Sequence, residues 1–191
     1  MELLALRTGQ LLNQSELGRD ARLSQPTIHR YVSLLETSHL LERLPAYAPD
    51  RTTRLLKSPK VYWTDPGLAS FLAGLHDETA LKHAREVGAF FEGLVLHHLR
   101  VQASLLAPRG RLSFWRPRRG GEVDFVLEHG RRLLAIEVKL SETPRYGDTE
   151  DLRAFLDLHP HAAAGVLVHT GREVRRLDDR IVAVPWDLLA E

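Results

Sequence analysis

The stretch that most constrains the fold is Gly121–Leu140, GEVDFVLEHGRRLLAIEVKL, which reads as two β-strands joined by a tight turn at His129-Gly130. In the first strand Val123, Phe125 and Leu127 alternate with Glu122, Asp124 and Glu128; in the second Leu134, Ile136 and Val138 alternate with Ala135, Glu137 and Lys139. Side chains two apart share a face of a strand. Glu137 and Lys139 therefore lie together, and closing the hairpin brings their face level with Asp124. Two carboxylates and an ammonium at one end of a hairpin can form a divalent-metal site with a proton-handling or charge-stabilising partner. Glu122 falls on the Asp124 face, as an outer ligand or as a partner for the nearby arginines.

Upstream, the pattern predicts a helix over Glu2–Leu12 and a second over Glu16–Arg22 capped by Ser15, with a turn at Leu23-Ser24. A third helix is capped by Ser24, with Pro26 in its first turn and Ile28, Tyr31, Val32, Leu34 and Leu35 as its apolar positions. This is the layout of a helix-turn-helix with the third helix in the recognition position. Two strands, Leu40–Leu44 and Leu55–Lys57, are expected around a basic loop, Pro45–Arg54, followed by Val61–Trp63; together they make a winged helix. Asp65-Pro66-Gly67 opens a helix, Leu68–Leu75, that ends at Gly74. His76–Arg85 is polar and reads as a linker or a loosely packed helix, so the expected domains are residues 1–78 and 84–191. Beyond it come an amphipathic helix, Glu86–Gln102, a strand at Arg111–Arg116, the hairpin, a helix at Thr149–Leu158, and strands at Gly165–Val168 and Ile181–Val184.

An acidic residue, a short hairpin and then Glu-x-Lys resemble the PD-(D/E)XK motif of the restriction-endonuclease-like superfamily, with Val123 where that motif has proline. Four phrases, TGQLLNQSELGRDARLSQPTIHRYVSLLE, LLKSPKVYWTDPGLA, GAFFEGLVLHHL and GEVDFVLE…IEVK, extend the likeness over nearly the whole chain. In that order they resemble the C-terminal part of a prokaryotic family of AAA-type ATPases whose tail is a domain of unknown function. The resemblance implies an α/β protein, a winged helix-turn-helix followed by a restriction-endonuclease-like mixed sheet flanked by helices. It also implies roles: Asp124, Glu137, the Val138 carbonyl and Glu92 on Mg²⁺ or Mn²⁺, with Lys139 assisting Asp124 and Glu137 in catalysis. There is no GxxxxGK[ST], so no ATP site is expected here. The ATPase core, present in cis in the family, would be a separate partner of a stand-alone relative, or the chain is a fragment.

Apolar residues at 43% and charged residues at 27% describe a globular chain, and the absence of cysteine removes disulfides, thiolate zinc sites and cysteine nucleophiles. No apolar run approaches the roughly 18 residues of a membrane span, and no leader is recognisable, so a cytoplasmic protein without membrane contact is expected. With a net charge of only +1, local basic runs matter more than the total. Arg51, Arg54, Lys57 and Lys60 form one; Arg109, Arg111, Arg116, Arg118 and Arg119 form another. Were DNA the partner, Gln25, Thr27, His29 and Arg30 would reach bases or phosphates, and Arg51, Arg54, Lys57 and Lys60 would follow the backbone. Three functions are open at this point: a metal-dependent phosphodiesterase that binds DNA, a non-catalytic DNA- or protein-binding module serving an ATPase, and a transcription factor with a sensor domain.

Overall fold

The computed structural model describes residues 1–117 and 120–190. The chain divides into two compact units: Met1–Pro45 with Leu55–Leu94, and Ala46–Arg54 with the chain from Val95 onward.

In the first unit, helix α1 is short, Glu2–Ala5, and α2 runs Gln14–Ala21. The cap of α2 is Asn13 rather than Ser15: its side-chain carbonyl accepts the Glu16 amide at 3.1 Å while its amide donates to the Glu16 carboxylate, also at 3.1 Å. Arg22 ends α2 in the left-handed region (φ 54°). Gly18 permits the sharp exit, because a Cβ there would lie 2.9 Å from the Leu23 carbonyl oxygen. Helix α3, Gln25–Thr37, follows at once, its first turn capped by Ser24 accepting from the Thr27 amide at 3.3 Å. Ile28, Val32 and Leu35 on one face of α3 are buried with Leu17, Leu41, Val61 and Trp63.

Strands β1 (Leu41–Leu44) and β2 (Lys60–Trp63) pair antiparallel, Leu41 with Trp63 and Leu44 with Lys60. The expected strand at Leu55–Lys57 is absent; a helix, α4, occupies Arg51–Leu56. Asp50 explains the change, since its carboxylate accepts the Thr52 amide at 3.3 Å and the Thr53 amide at 2.7 Å, supplying the helix start. Residues 46–54 are bound within the second unit, where Ala46 bridges Phe114, and Tyr47 packs edge-on to Phe155 and His159. Helices α5 (Pro66–Leu72, capped by Asp65) and α6 (Glu78–His83) complete the first unit, and Gly74 after α5 takes φ +83°. Helix α7, Val87–Leu105, continues from the first unit into the second.

The second unit is a six-stranded mixed sheet: β3 (Arg111–Trp115), β4 (Val123–His129), β5 (Arg132–Lys139), β6 (Ala164–His169), β7 (Arg175–Asp178) and β8 (Ile181–Pro185), in the order β3-β4-β5-β6-β8-β7. The β4–β5 hairpin closes with His129 opposite Arg132, and Gly130 takes φ +61° at the first loop position. β5 is central, antiparallel to β4 and parallel to β6. The crossover from β5 to β6 carries a 3-10 turn, Tyr146–Thr149, and helix α8, Glu150–Leu158. Leu152, Phe155 and Leu156 of α8 are buried with Val126, Ala135 and Leu167 of the sheet. The expected order of elements thus stands, with β7, not anticipated, added antiparallel to β8.

Replacing Ser24 by alanine removes the α3 cap and should cost ~1 kcal/mol of stability, whereas Ser24→Asp should cost far less. Urea denaturation followed by circular dichroism checks this; equal stability of wild type and Ser24→Ala would exclude the cap as a contributor.

Candidate functional site

Ladder register decides what the hairpin gathers. Phe125 stands opposite Ile136, so one further step puts Asp124 level with Glu137. The Asp124 carboxylate accepts the Val138 amide N–H at 2.9 Å, tying the start of β4 to the end of β5. Glu137 is only 4% exposed. Its Oε1 accepts from the Lys139 Nζ at 2.8 Å, and the lysine side chain remains 40% exposed. The expected trio is therefore brought together, with the ammonium at the surface and the glutamate beneath it.

Burial of the Lys139 ammonium works to lower its pKa. The Glu137 carboxylate outweighs this by charge and hydrogen bond, with Asp124 and Asp148 adding to it, and Lys139 is held above the ordinary lysine value. Asp148, on the 3-10 turn, adds its charge to those acting on Lys139, an influence the sequence gives no sign of. Its carboxylate also accepts the Arg145 amide at 2.7 Å. Nothing in the local pattern marks it, because its proximity depends on how the crossover returns to the sheet.

His169 was also missed. It closes β6 in register with Lys139 and is fully buried. Its Nδ1 accepts the Gly171 amide at 3.0 Å. Burial pushes its pKa down; the Glu173 backbone opposes this, Arg175 reinforces it and Asp187 opposes it. Gly171 is required by close approach, since a Cβ would lie 2.1 Å from the Glu142 carbonyl oxygen.

The other expected residues have local settings of their own. Glu92 lies on the part of α7 in the first unit, where its carboxylate accepts from the Lys60 Nζ at 3.1 Å and from the Tyr62 hydroxyl. Lys60 is 3% exposed, which corrects its assignment to a surface DNA contact. Arg54 forms a two-pronged ion pair with Glu128, at 2.6 and 2.9 Å, with its guanidinium over the Tyr47 ring. That geometry is the fork-to-carboxylate match arginine favours, and it engages Arg54 inside the second unit. Glu122 is partly buried with Arg116 at 3.7 Å. Lys57 is exposed, as are Gln25, His29 and Arg30 on the outer face of α3, while Thr27 is half-buried with its hydroxyl 2.8 Å from that of Ser24. The side chain of Arg51, and Arg118 and Arg119 entirely, lie outside the described residues.

Asp124 and Glu137 are hard oxygen donors, and Mg²⁺ or Mn²⁺ is commonly held by one or two carboxylates with water and substrate phosphate in the remaining positions. The pair fits such an ion. Val138, between Glu137 and Lys139, is the residue whose carbonyl the family resemblance adds to that set. Among the described residues no group of three or more His, Asp or Glu side chains converges as a metal site. No helix among the described residues is long and apolar enough to cross a membrane.

Residues 87–189, the segment that holds the hairpin and the whole mixed sheet, match the family model of a domain of unknown function, DUF4143. The chain belongs to this family. Residues 1–79 match a second domain of unknown function, DUF8612. Among curated proteins the chain is similar to the uncharacterized protein Rv2008c of Mycobacterium tuberculosis and the uncharacterized protein Mb2031c of Mycobacterium bovis. Each is 34% identical over 186 residues, which covers 97% of this chain but 40% of the relative. The chain therefore spans less than half the length of these relatives. No solved structure matches it.

Glu137→Gln removes the main influence that raises the Lys139 pKa while leaving its burial in place, so the pKa should fall. The sign for stability follows. A folded pKa above the ordinary value of about 10.4 means that the pair's contribution is complete below that pH and is lost as pH rises through the raised value. Carbon-13 NMR titration of the lysine side chains in both proteins measures the change, and an unmoved or higher Lys139 pKa in Glu137→Gln would contradict the assignment.

Proposed function

We propose that this protein binds DNA and that its second unit is a metal-dependent phosphodiesterase of the restriction-endonuclease-like type. The observation that carries this reading is the meeting of Asp124, Glu137 and Lys139 at the end of a central strand, in a crossover sheet whose element order fits that superfamily. Asp124 and Glu137 would hold Mg²⁺ or Mn²⁺ together with the Val138 carbonyl. When bound, such an ion polarises water and neutralises charge developing on a phosphate. Lys139, kept charged and partly exposed, donates its N–H groups to the scissile phosphate and stabilises the charge that builds there. The reading does not depend on Glu92.

The DNA-binding part rests on the first unit. A helix-turn-helix reading of α2 and α3 is supported by the three-residue turn, the cap at Ser24 and the outward Gln25, His29 and Arg30. A winged form would use the β1–β2 pair, with Lys57 beside it. The cytoplasm is the compartment proposed, where such a protein meets DNA.

A second reading draws on a specific observation: the Glu92 carboxylate is held by Lys60 and Tyr62. On that reading the chain is a non-catalytic DNA- or protein-binding module that works with an AAA-type ATPase, for which the longer relatives have room.

Cleavage of supercoiled plasmid, branched DNA and single-stranded DNA with Mg²⁺ and then Mn²⁺ separates the two. Cutting is expected from the wild type, with loss of about 100-fold or more in Glu137→Ala and Lys139→Ala. DNA binding without metal-dependent cutting, unchanged in both variants, would leave the module reading in its place.

A further inference from the structure

The crossover that leaves β5 at Lys139 reaches, seven residues on, an aromatic ring that serves no core. The 3-10 turn Tyr146–Thr149 carries Asp148, whose charge acts on Lys139, and Tyr146 is two residues earlier, within about 7 Å along the backbone. The turn is firmly held. Thr149 is buried and donates its hydroxyl to the Tyr146 carbonyl at 2.7 Å, and the Arg145 amide donates to Asp148 at 2.7 Å.

From this rigid base the Tyr146 ring projects with 53% exposure. Arg153 of α8 lies against it, its guanidinium carbon 4.2 Å from the ring centroid and its Nη1 donating to the tyrosine hydroxyl at 2.6 Å. The Arg153 Nε is buried without a hydrogen-bond partner, and neither Arg153 nor Arg145 forms an ion pair among the described residues. The guanidinium is therefore positioned by the ring rather than by a carboxylate.

An ordered, half-exposed ring backed by a cation, next to a second exposed arginine, has the parts of a single-strand binding surface: a face for stacking and a charge for the adjoining phosphate. Paired bases within a duplex are stacked on their neighbours and offer only edges to a side chain; an unpaired base offers its face. We infer that Tyr146, braced by Arg153, stacks an unpaired nucleobase beside the Asp124–Glu137–Lys139 site, with Arg145 taking the neighbouring phosphate, so that the site's substrate class is single-stranded nucleic acid. This rests on the phosphodiesterase reading for its placement but is tested by binding alone.

The probe is a single-stranded oligonucleotide carrying 2-aminopurine, whose fluorescence is quenched on stacking, titrated with the full chain in the absence of added metal. Tyr146→Ala should abolish the quench and weaken binding by about 5- to 150-fold, the range spanned by loss of one base–aromatic stack. Tyr146→Phe should retain both, Arg153→Gln should weaken both, and affinity for a blunt duplex should be unchanged in all three. An undiminished quench in Tyr146→Ala, or an equal loss of duplex affinity, would overturn the platform. Tyr146-dependent quenching in a protein that cuts nothing with either metal leaves the platform standing and removes the phosphodiesterase. Metal-dependent cutting together with an undiminished quench in Tyr146→Ala does the reverse.

Discussion

A carboxylate with 4% exposure at the edge of an apolar core is the feature around which the second unit is arranged. Removing such a charge from water is costly unless partners replace the solvent. At Glu137 the partner is its own strand neighbour on the same face, Lys139, and the level across the hairpin is set by Asp124 bonding to the Val138 amide. Each of these depends on β5 lying between two other strands, because a slip of one residue would send Glu137 and Lys139 to the opposite face. Parallel pairing with β6 and antiparallel pairing with β4 hold that register from both sides.

The apolar layer beneath the site explains why register is so firmly held. Phe155 of α8 stacks on His159 with ring centroids 4.2 Å apart and meets Trp115 edge-on at 5.4 Å. Tyr47, from a segment remote in sequence, joins the same aromatic group, and the Arg54–Glu128 pair fastens that segment's end to β4. Close-packed aromatic groups resist sliding because any displacement leaves a void or a clash. The first unit uses charge in a different setting: Lys60, at 3% exposure, and the Glu92 carboxylate satisfy one another together with Tyr62. There the pair ties α7 to β2.

Much of this was legible locally. Ser24 and Asp65 announce helix starts because a short oxygen-bearing side chain bonds amides only two or three residues ahead. The Gly121–Leu140 hairpin was legible because alternation and turn chemistry agree over a short span. The misreadings have equally definite causes. Asp50 lies within a basic, proline-rich stretch that masks its role, yet it caps α4 by the same chemistry as Asp65. β7, Arg175–Asp178, lies at the sheet edge with its first two residues exposed, so it lacks the apolar alternation of a half-buried strand. The basic run Arg51–Lys60 looked like one patch; in the fold Arg54 meets Glu128, Lys60 meets Glu92, and Lys57 is exposed.

The sequence by itself determined the capped helices, the hairpin, and the presence of Glu137 and Lys139 on one face, since these follow from backbone periodicity and bonds reaching a few residues. Tertiary structure alone decided that Asp148 acts on Lys139, that His169 lies in register with it, that Glu92 is drawn to Lys60 and Tyr62, and that Arg153 braces the ring of Tyr146. Those outcomes depend on a crossover, a parallel register and a helix packing angle. Each is set by how large apolar surfaces fit together, which no short window of sequence contains.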